Sequence, residues 1–265
     1  MKMTLTVITT LVFLIHSAGA SETVRRDWTI DGIEREALVA VPPAARTTPS
    51  PLVFVFHGHG GRMNHAARTF RIHELWPEAV VVYMQGLNTP GELLDKEGKK
   101  PGWQNFAGDQ QDRDLHFFDA VLKTLKSEVR IDEDRVYSTG HSNGGAFTYL
   151  LWAERHDVFA AMAPSGAAAM RMHRDLRPKP LLHIAGDNDP LVKYAWQTRT
   201  VEFVKRLNQC EQGTPHDGGG TLFASPIGTP VVLYVTSQGH KFPAEAPPLI
   251  VQFFQQFTRQ TVSAR

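Results

Sequence analysis

Short apolar runs alternate along this chain with stretches that carry apolar residues at helical spacing. The runs at 52–56 and 80–84 are apolar at every position, which suits strands covered on both faces of a parallel sheet. Further strands are predicted at 135–139, 159–163, 181–185 and 231–235, and helices at 112–129, 147–154, 194–207 and 248–257. This alternation predicts a mostly parallel, doubly wound α/β sheet with its chemistry at the carboxyl ends of the strands.

Two regions depart from that alternation. Residues 28–30 and 35–41 predict an N-terminal antiparallel hairpin, because Asp31-Gly32 between them is a strong signal for a tight turn. Residues 87–111 are rich in Gly, Pro, Lys, Asp and Asn and predict a long surface loop, which in a compact domain usually has a function. Asp112 is placed to cap the helix that follows.

The first twenty residues have the pattern of an export signal. Lys2 supplies a positive charge, residues 5–15 are almost wholly apolar, and Ala18-Gly19-Ala20 matches an A-x-A cleavage site. We therefore expect a signal peptide at 1–20, a secreted or periplasmic protein, and one domain at 21–265. No later run is long and apolar enough to span a membrane.

Charge and cysteine content argue against nucleic-acid binding and exclude a disulfide within the chain. The formal net charge is +1, with acidic and basic residues intermixed, so no basic stripe is available for nucleic acid. The single cysteine, Cys210, cannot form an intramolecular disulfide, and we interpret it as a structural thiol.

The strongest chemical signal is Gly140-His141-Ser142-Asn143-Gly144. This G-x-S-x-G follows a predicted strand and precedes a predicted helix, which is the context that a nucleophilic serine on a sharp turn requires. The motif predicts Ser142 as a nucleophile.

A serine hydroxyl needs a base to take its proton and an acid to orient that base. Where a nucleophilic serine lies on such a turn of an α/β sheet, the acid and then the histidine follow it along the chain. Asp187 and Asp189 both follow the strand at 181–185, and His240 follows the last predicted strand. His216 is the weaker alternative to His240.

Acyl transfer also needs two N–H donors for the oxyanion. Asn143, directly after the nucleophile, is the first candidate. The second is His59 in His57-Gly58-His59-Gly60-Gly61, with Gly60 as an alternative. A metal site at His57 and His59, or at Asp187 and Asp189, is disfavoured because neither pair has further ligands at usable spacing, so we predict no metal.

These residues resemble the secreted feruloyl esterases and polyhydroxybutyrate-depolymerase-like esterases of the α/β-hydrolase superfamily. The resemblance covers most of the chain from Trp28 and rests on His57-Gly58, Gly102-Trp103-Gln104, residues 112–117, residues 140–145, G-x-x-D-x-x-V at 186–192, and Gly239-His240. It implies a single-domain α/β-hydrolase and places the acid on Asp189, so that Asp187 orders the turn.

The resemblance also implies a substrate cleft lined by Trp103 and Gln104, with His141 as a further candidate for substrate binding. Anchoring of the loop is an equally open role for Trp103. Members of the family often carry Trp between the catalytic His and the Pro, where this chain has Phe242, so a wall of the pocket is expected to differ.

The expected activity is hydrolysis of carboxylic esters through an acyl-enzyme, by a monomer without a cofactor. We expect feruloyl or acetyl esters of plant cell-wall polysaccharide as substrates. Polyhydroxyalkanoate is the alternative, disfavoured because no separate domain for binding an insoluble polyester is present. A peptidase, an acyltransferase and a non-catalytic binding module are the remaining alternatives.

Overall fold

The computed structural model describes residues 20–259, within which ten of twelve strands form one sheet. The strands are β1 (Thr23–Ile30), β2 (Ile33–Ala40), β3 (Ser50–Phe56), β4 (Val80–Met84), β5 (Leu87–Asn88), β6 (Pro101–Gly102), β7 (Ile131–His141), β8 (Ala161–Ser165), β9 (Leu181–Gly186), β10 (Gly213–Pro215), β11 (Thr221–Phe223) and β12 (Val231–Thr236). The helices are α1 (Met63–Phe70), α2 (Ile72–Leu75), α3 (Arg113–Glu128), α4 (Asn143–Glu154), α5 (Tyr194–Leu207) and α6 (Ala246–Phe254). Short 3-10 helices lie at Pro43–Arg46, Asp109–Asp112 and Met170–Asp175.

The strand order of the large sheet is β1-β2-β4-β3-β7-β8-β9-β12-β11-β10. Strands β4, β3, β7, β8, β9 and β12 run parallel to one another, and the outer strands on both sides are antiparallel to their neighbours. The predicted single-domain α/β fold with a mostly parallel sheet and an N-terminal hairpin is confirmed.

The apolar strands divide their side chains between two cores, one on each face of the sheet. On β3, Leu52, Phe54 and Phe56 face the core that contains α3, α4 and α5, whereas Val53 and Val55 face the core that contains α1, α2 and α6. Successive side chains of a strand point to opposite faces, so a strand covered on both sides must be apolar throughout.

Asp31 and Gly32 join β1 to β2 with positive φ angles of 50° and 76°. Two positive φ angles define the type I′ turn that fits the twist of a hairpin. The hairpin is longer than its predicted strands because Thr23 already pairs with Ala40.

The prediction that residues 87–111 form a surface loop is only partly correct. Strands β5 and β6 pair within this segment, and Trp103 and Gln104 are buried. Asp112 directly precedes α3, but its side chain makes no capping hydrogen bond and its backbone is left-handed with φ 57°, so the predicted capping role is wrong. Its Oδ1 instead accepts hydrogen bonds from Gln104 Nε2 and Gly108 N, each at 2.8 Å.

The predicted signal peptide falls on residues that lie, except for Ala20, outside the described part of the chain. Across residues 20–259, no helix combines the length and apolar character needed to cross a membrane.

One ion pair lies fully inside the protein and ties β2 to the start of α3. Arg35 Nη2 donates to Asp114 Oδ1 at 2.7 Å, and both side chains are at most 1 % exposed. The other oxygen, Asp114 Oδ2, accepts the backbone N–H of Gln104 at 2.8 Å. A buried charge is tolerated only when it is paired and hydrogen-bonded, and this carboxylate is bonded at both oxygens.

Asp114→Ala should lower the free energy of unfolding by about 3–5 kcal/mol, because it leaves the Arg35 charge buried and unpaired. Equilibrium urea denaturation followed by circular dichroism measures the loss.

The matched control is Glu128→Ala. Glu128 also pairs with an arginine through two bonds of 2.7 Å, to Arg26, but at the surface. An exposed pair contributes at most about 1 kcal/mol. Equal losses in the two variants would show that burial does not determine the contribution of the Arg35 pair.

Candidate active site

Ser142 lies on a sharp turn between β7 and α4. Its φ and ψ angles of 57° and −121° are unusual for a residue with a side chain. Such backbone conformations cost about 1–3 kcal/mol and persist only where the surroundings enforce them. Here the Ser142 N–H donates to Ser165 O at 2.9 Å, which fixes the turn against the end of β8.

Gly140 and Gly144 allow this turn to pack against its neighbours. A Cβ atom on Gly140 would lie 2.5 Å from Gly144 O, and one on Gly144 would lie 2.3 Å from Phe56 O. Both distances are well below van der Waals contact with backbone atoms that cannot move aside. The two glycines of G-x-S-x-G are therefore required by the close approach of β3, β7 and α4.

The structure brings Ser142, His240 and Asp189 together in one row. His240 Nε2 lies 2.7 Å from Ser142 Oγ, and His240 Nδ1 lies 2.6 Å from Asp189 Oδ2. The Asp189 side chain is fully buried, whereas the His240 side chain is 17 % exposed. The three residues follow β7, β9 and β12, at the carboxyl ends of parallel strands, where ligand sites of such sheets lie.

The Asp189 carboxylate is held at both oxygens. Oδ1 accepts the N–H groups of Leu191 and Val192 at 2.8 and 2.9 Å, and Oδ2 accepts a bond from Gln197 as well as from His240. These bonds fix the position of the carboxylate, with Oδ2 directed at His240.

The two alternatives that the sequence left open lie elsewhere. Asp187 is exposed to solvent, and its N–H donates to Thr236 O, which agrees with a role in ordering the turn. His216 lies in the turn between β10 and β11, where its Nδ1 accepts the N–H of Gly218.

The loop that carries His240 is fixed by two side chains. Asn188 donates to Ser237 O at 2.9 Å and accepts the N–H of Gly239 at 2.8 Å. His141 Nε2 lies 3.0 Å from His240 O, and its Nδ1 lies 3.2 Å from Ser165 Oγ. Sequence reasoning missed both contacts because they join residues far apart in the chain.

Two backbone N–H groups are the predicted donors for the oxyanion. One belongs to Asn143, the first residue of α4, where no intrahelical acceptor exists. The other belongs to His59. The alternative donor Gly60 is not available, because its N–H donates to Pro101 O at 2.6 Å.

His57 shapes the loop that presents the His59 N–H. Its Nδ1 donates to Gly58 O at 2.8 Å, and its Nε2 accepts the N–H of Gly86 at 3.0 Å. Burial lowers the pKa of His57 to about 4, so the ring is neutral with one proton, as these two bonds require. Gly58 O and the His59 N–H belong to one trans peptide and point in opposite directions, so fixing the carbonyl also fixes the N–H.

Trp103, Gln104 and His141 do not line the cleft, which corrects the expectation drawn from the resemblance. Trp103 is fully buried and donates from Nε1 to His57 O at 2.8 Å, so it anchors the loop. Gln104 is 1 % exposed and bonds to Asp112 and to the start of α3. Both ring nitrogens of His141 are bonded to protein groups, so neither is free for a substrate.

A cleft opens beside Ser142 and His240, and its walls are mainly apolar. Its larger side chains are Leu93, Leu94, Met170, Leu191, Val192 and Trp196. Leu191 and Val192 lie two and three residues after the acid, so the sequence offered a signal for them, whereas Leu93 and Leu94 enter from the loop 87–111. Phe242 packs instead on Phe70, with ring centroids 4.2 Å apart.

The His59 side chain lines the cleft and contacts a carboxylate of the loop 87–111. Its Nε2 lies 3.0 Å from Asp95 Oδ2, and this bond lowers the pKa of Asp95. Within residues 20–259, no three His, Cys, Asp or Glu side chains are grouped so that they could hold a metal ion.

Comparison with known sequences gives one family match and several esterase relatives. Residues 102–176 match the Prolyl oligopeptidase family, which covers less than a third of the chain and includes the Ser142 turn. "Probable feruloyl esterase C" of Aspergillus oryzae is 26% identical over 208 residues, which span 75% of this chain and 72% of that protein. "Bifunctional acetylxylan esterase/xylanase XynS20E" of Neocallimastix patriciarum is 30% identical over 155 residues, which span 57% of this chain and 21% of that protein.

Comparison with solved structures supports the same fold. A structure described as "ferulic acid esterase" matches with a TM-score of 0.65 at 14% identity, covering 90% of this chain and 99% of that one. The esterase resemblance predicted from the motifs is confirmed. In its mostly parallel sheet and in its sequence, this chain is therefore similar to ester hydrolases of the α/β-hydrolase type.

Proposed function

We propose that this protein is a secreted serine esterase that hydrolyses feruloyl or acetyl esters of plant cell-wall polysaccharide through an acyl-enzyme on Ser142. The observation that carries the proposal is the row of two short hydrogen bonds, 2.7 Å from Ser142 Oγ to His240 and 2.6 Å from His240 to Asp189. A nucleophile, a base and an orienting acid in hydrogen-bonding contact are the arrangement that acyl transfer requires.

In the proposed reaction His240 Nε2 takes the proton of Ser142 as Oγ attacks the ester carbonyl. The tetrahedral oxyanion accepts hydrogen bonds from the N–H groups of Asn143 and His59. His240 then returns the proton to the leaving alcohol. A water molecule, activated by the same imidazole, hydrolyses the acyl-enzyme and restores Ser142. Asp189 stays ionised throughout, holding the His240 tautomer and stabilising its cation. No cofactor enters this sequence of steps.

The cleft chemistry supports an ester with an apolar or aromatic group. Leu191, Val192 and Trp196 form an apolar wall next to Ser142, which suits a planar phenolic acyl group. Substrates named for relatives point the same way, since one is called a feruloyl esterase and another an acetylxylan esterase. Export through the leader at 1–20 and action as a monomer are part of the proposal.

Peptide hydrolysis is the second candidate, because the Prolyl oligopeptidase match includes the Ser142 turn. The same serine, base and acid could serve either reaction, so only substrates separate the two. Polyhydroxybutyrate remains the alternative ester.

Ser142→Ala should lower kcat on the preferred ester by a factor of at least about 10⁴, because the nucleophile is lost while the fold remains. The assay panel holds p-nitrophenyl acetate and butyrate, methyl ferulate, acetylated xylan, polyhydroxybutyrate and a peptide anilide. Ser127→Ala is the control, since Ser127 lies on α3 and its hydroxyl donates to Thr124 O within the same helix. A preference for the anilide would move the assignment to a peptidase, and an active Ser142→Ala variant would refute the mechanism.

Asp189→Asn should reduce kcat on the order of 10⁴-fold, because an amide at this position favours the wrong tautomer of His240. Asp187→Asn, two residues away on the same loop, should leave kcat within about twofold of wild type because its side chain faces solvent. Steady-state kinetics on one p-nitrophenyl ester compares the two. A larger loss at Asp187 than at Asp189 would reverse the assignment of the acid.

A further inference from the structure

Behind Asp189 lies a buried row of polar side chains that the proposed mechanism does not use. Gln197 on α5 donates from Nε2 to Val192 O at 2.7 Å and to Asp189 Oδ2 at 3.3 Å. Its Oε1 lies 3.3 Å from His183 Nε2, and His183 Nδ1 lies 2.8 Å from the Tyr149 hydroxyl. Gln197, His183 and Tyr149 are each 0 % exposed, and none of them lines the cleft.

The chemistry of the partners fixes the direction of every bond in this row. Val192 O and the Asp189 carboxylate can only accept, so the NH₂ of Gln197 must face them and its Oε1 must face His183. His183 Nε2 must then carry the ring proton. Burial lowers the pKa of His183 to about 4, which keeps the ring neutral and leaves Nδ1 as an acceptor for the Tyr149 O–H. All three donors therefore point toward Asp189.

A row of buried polar groups fills a core less favourably than apolar side chains do. Each group would cost free energy if its partner were missing, and apolar side chains of similar volume would fill the same space without that risk. Hydrogen bonds that point the same way also polarise one another, so the effect of the row is concentrated at its end, the Asp189 carboxylate. That end is 2.6 Å from His240.

We propose that Gln197 is a positioning residue for the reaction, holding the Asp189 carboxylate in line with His240, and that His183 and Tyr149 fix the direction of its amide. The inference rests on the proposed function, because it assigns Gln197 a role through Asp189 and His240.

The row has a predictable effect on the proton affinity of the His240–Asp189 pair. The pair carries one negative charge when His240 is neutral and none when His240 is protonated. The N–H dipole of Gln197 points at Asp189 and favours the negatively charged state, which is the active one. His141 also interacts electrostatically with Asp189, and burial keeps His141 neutral by lowering its pKa to about 4.

Gln197→Met keeps a side chain of similar length and removes both donors. We expect kcat to fall by about 10- to 100-fold, the loss typical of one hydrogen bond to a charged group, with KM within about twofold of wild type. The acid limb of kcat/KM should move to higher pH, because the active state of the pair has lost a stabilising dipole.

The matched control is Asn208→Leu at the other end of α5. Asn208 is also a fully buried amide, and its Nδ2 donates to two carbonyls, Lys179 O and Thr229 O. Both variants should lower the melting temperature. Only Gln197→Met should change kcat and the acid limb, because Asn208 does not contact Asp189.

A second variant tests the proposal even if Gln197→Met does not fold. A spectroscopic signal tests it without any measurement of activity. Tyr149→Phe removes one oxygen and frees the His183 tautomer, so it should shift the acid limb in the same direction by a smaller amount. The downfield proton resonance of His240 Nδ1–H, identified by its loss in His240→Gln, should move in Gln197→Met and stay in place in Asn208→Leu.

Folded Gln197→Met protein with wild-type kcat, acid limb and resonance would overturn the role of Gln197. If wild-type protein instead hydrolyses no substrate on the panel, the proposed function fails. The resonance still decides whether Gln197 holds Asp189.

Discussion

The contact between the Ser142 turn and the end of β3 is the constraint on which the rest of the site depends. Gly144 approaches Phe56 O so closely that a Cβ atom would lie 2.3 Å from it. This approach places the first turn of α4 directly beside the loop that follows β3. The two predicted oxyanion donors, the N–H groups of Asn143 and His59, belong to these two segments. The strained φ of 57° at Ser142 is the cost of that closeness.

Hydrogen bonds from side chains to backbone groups hold the surrounding loops in place around the Ser142 turn. Asn143 both accepts from Trp103 N and donates to Trp103 O, which secures the long loop after β4. Asn188 secures the loop after β12 in the same way, through Ser237 and Gly239. Both are asparagines whose amides offer a donor and an acceptor at once, so each can fix a passing strand of backbone in position and direction.

The apolar pattern of the sequence predicted the elements whose pattern is complete within their own residues. Strand β4 and helix α5 begin and end at the predicted residues, because an apolar run and an amphipathic period are complete within them. Strands β10 and β11 escaped prediction because three residues are too few to show a period. The G-x-S-x-G motif and the chain order predicted Ser142 and His240, and the family resemblance predicted Asp189. The burial of Trp103 and Gln104 depends instead on side-chain contacts with Asn143 and Asp114, which no local pattern shows.

The buried imidazoles around the site also make the stability of the fold depend on pH. Burial lowers the pKa of His57, His141 and His183 from 6.5 to about 4 in the folded chain. Below pH 6.5 the unfolded chain binds protons at these three positions that the folded chain excludes, so stability is fully present above pH 6.5 and declines as pH falls toward 4. Each ring removes up to about 1.4 kcal/mol per pH unit in that interval. These three buried histidines therefore limit how acidic a medium the folded protein tolerates.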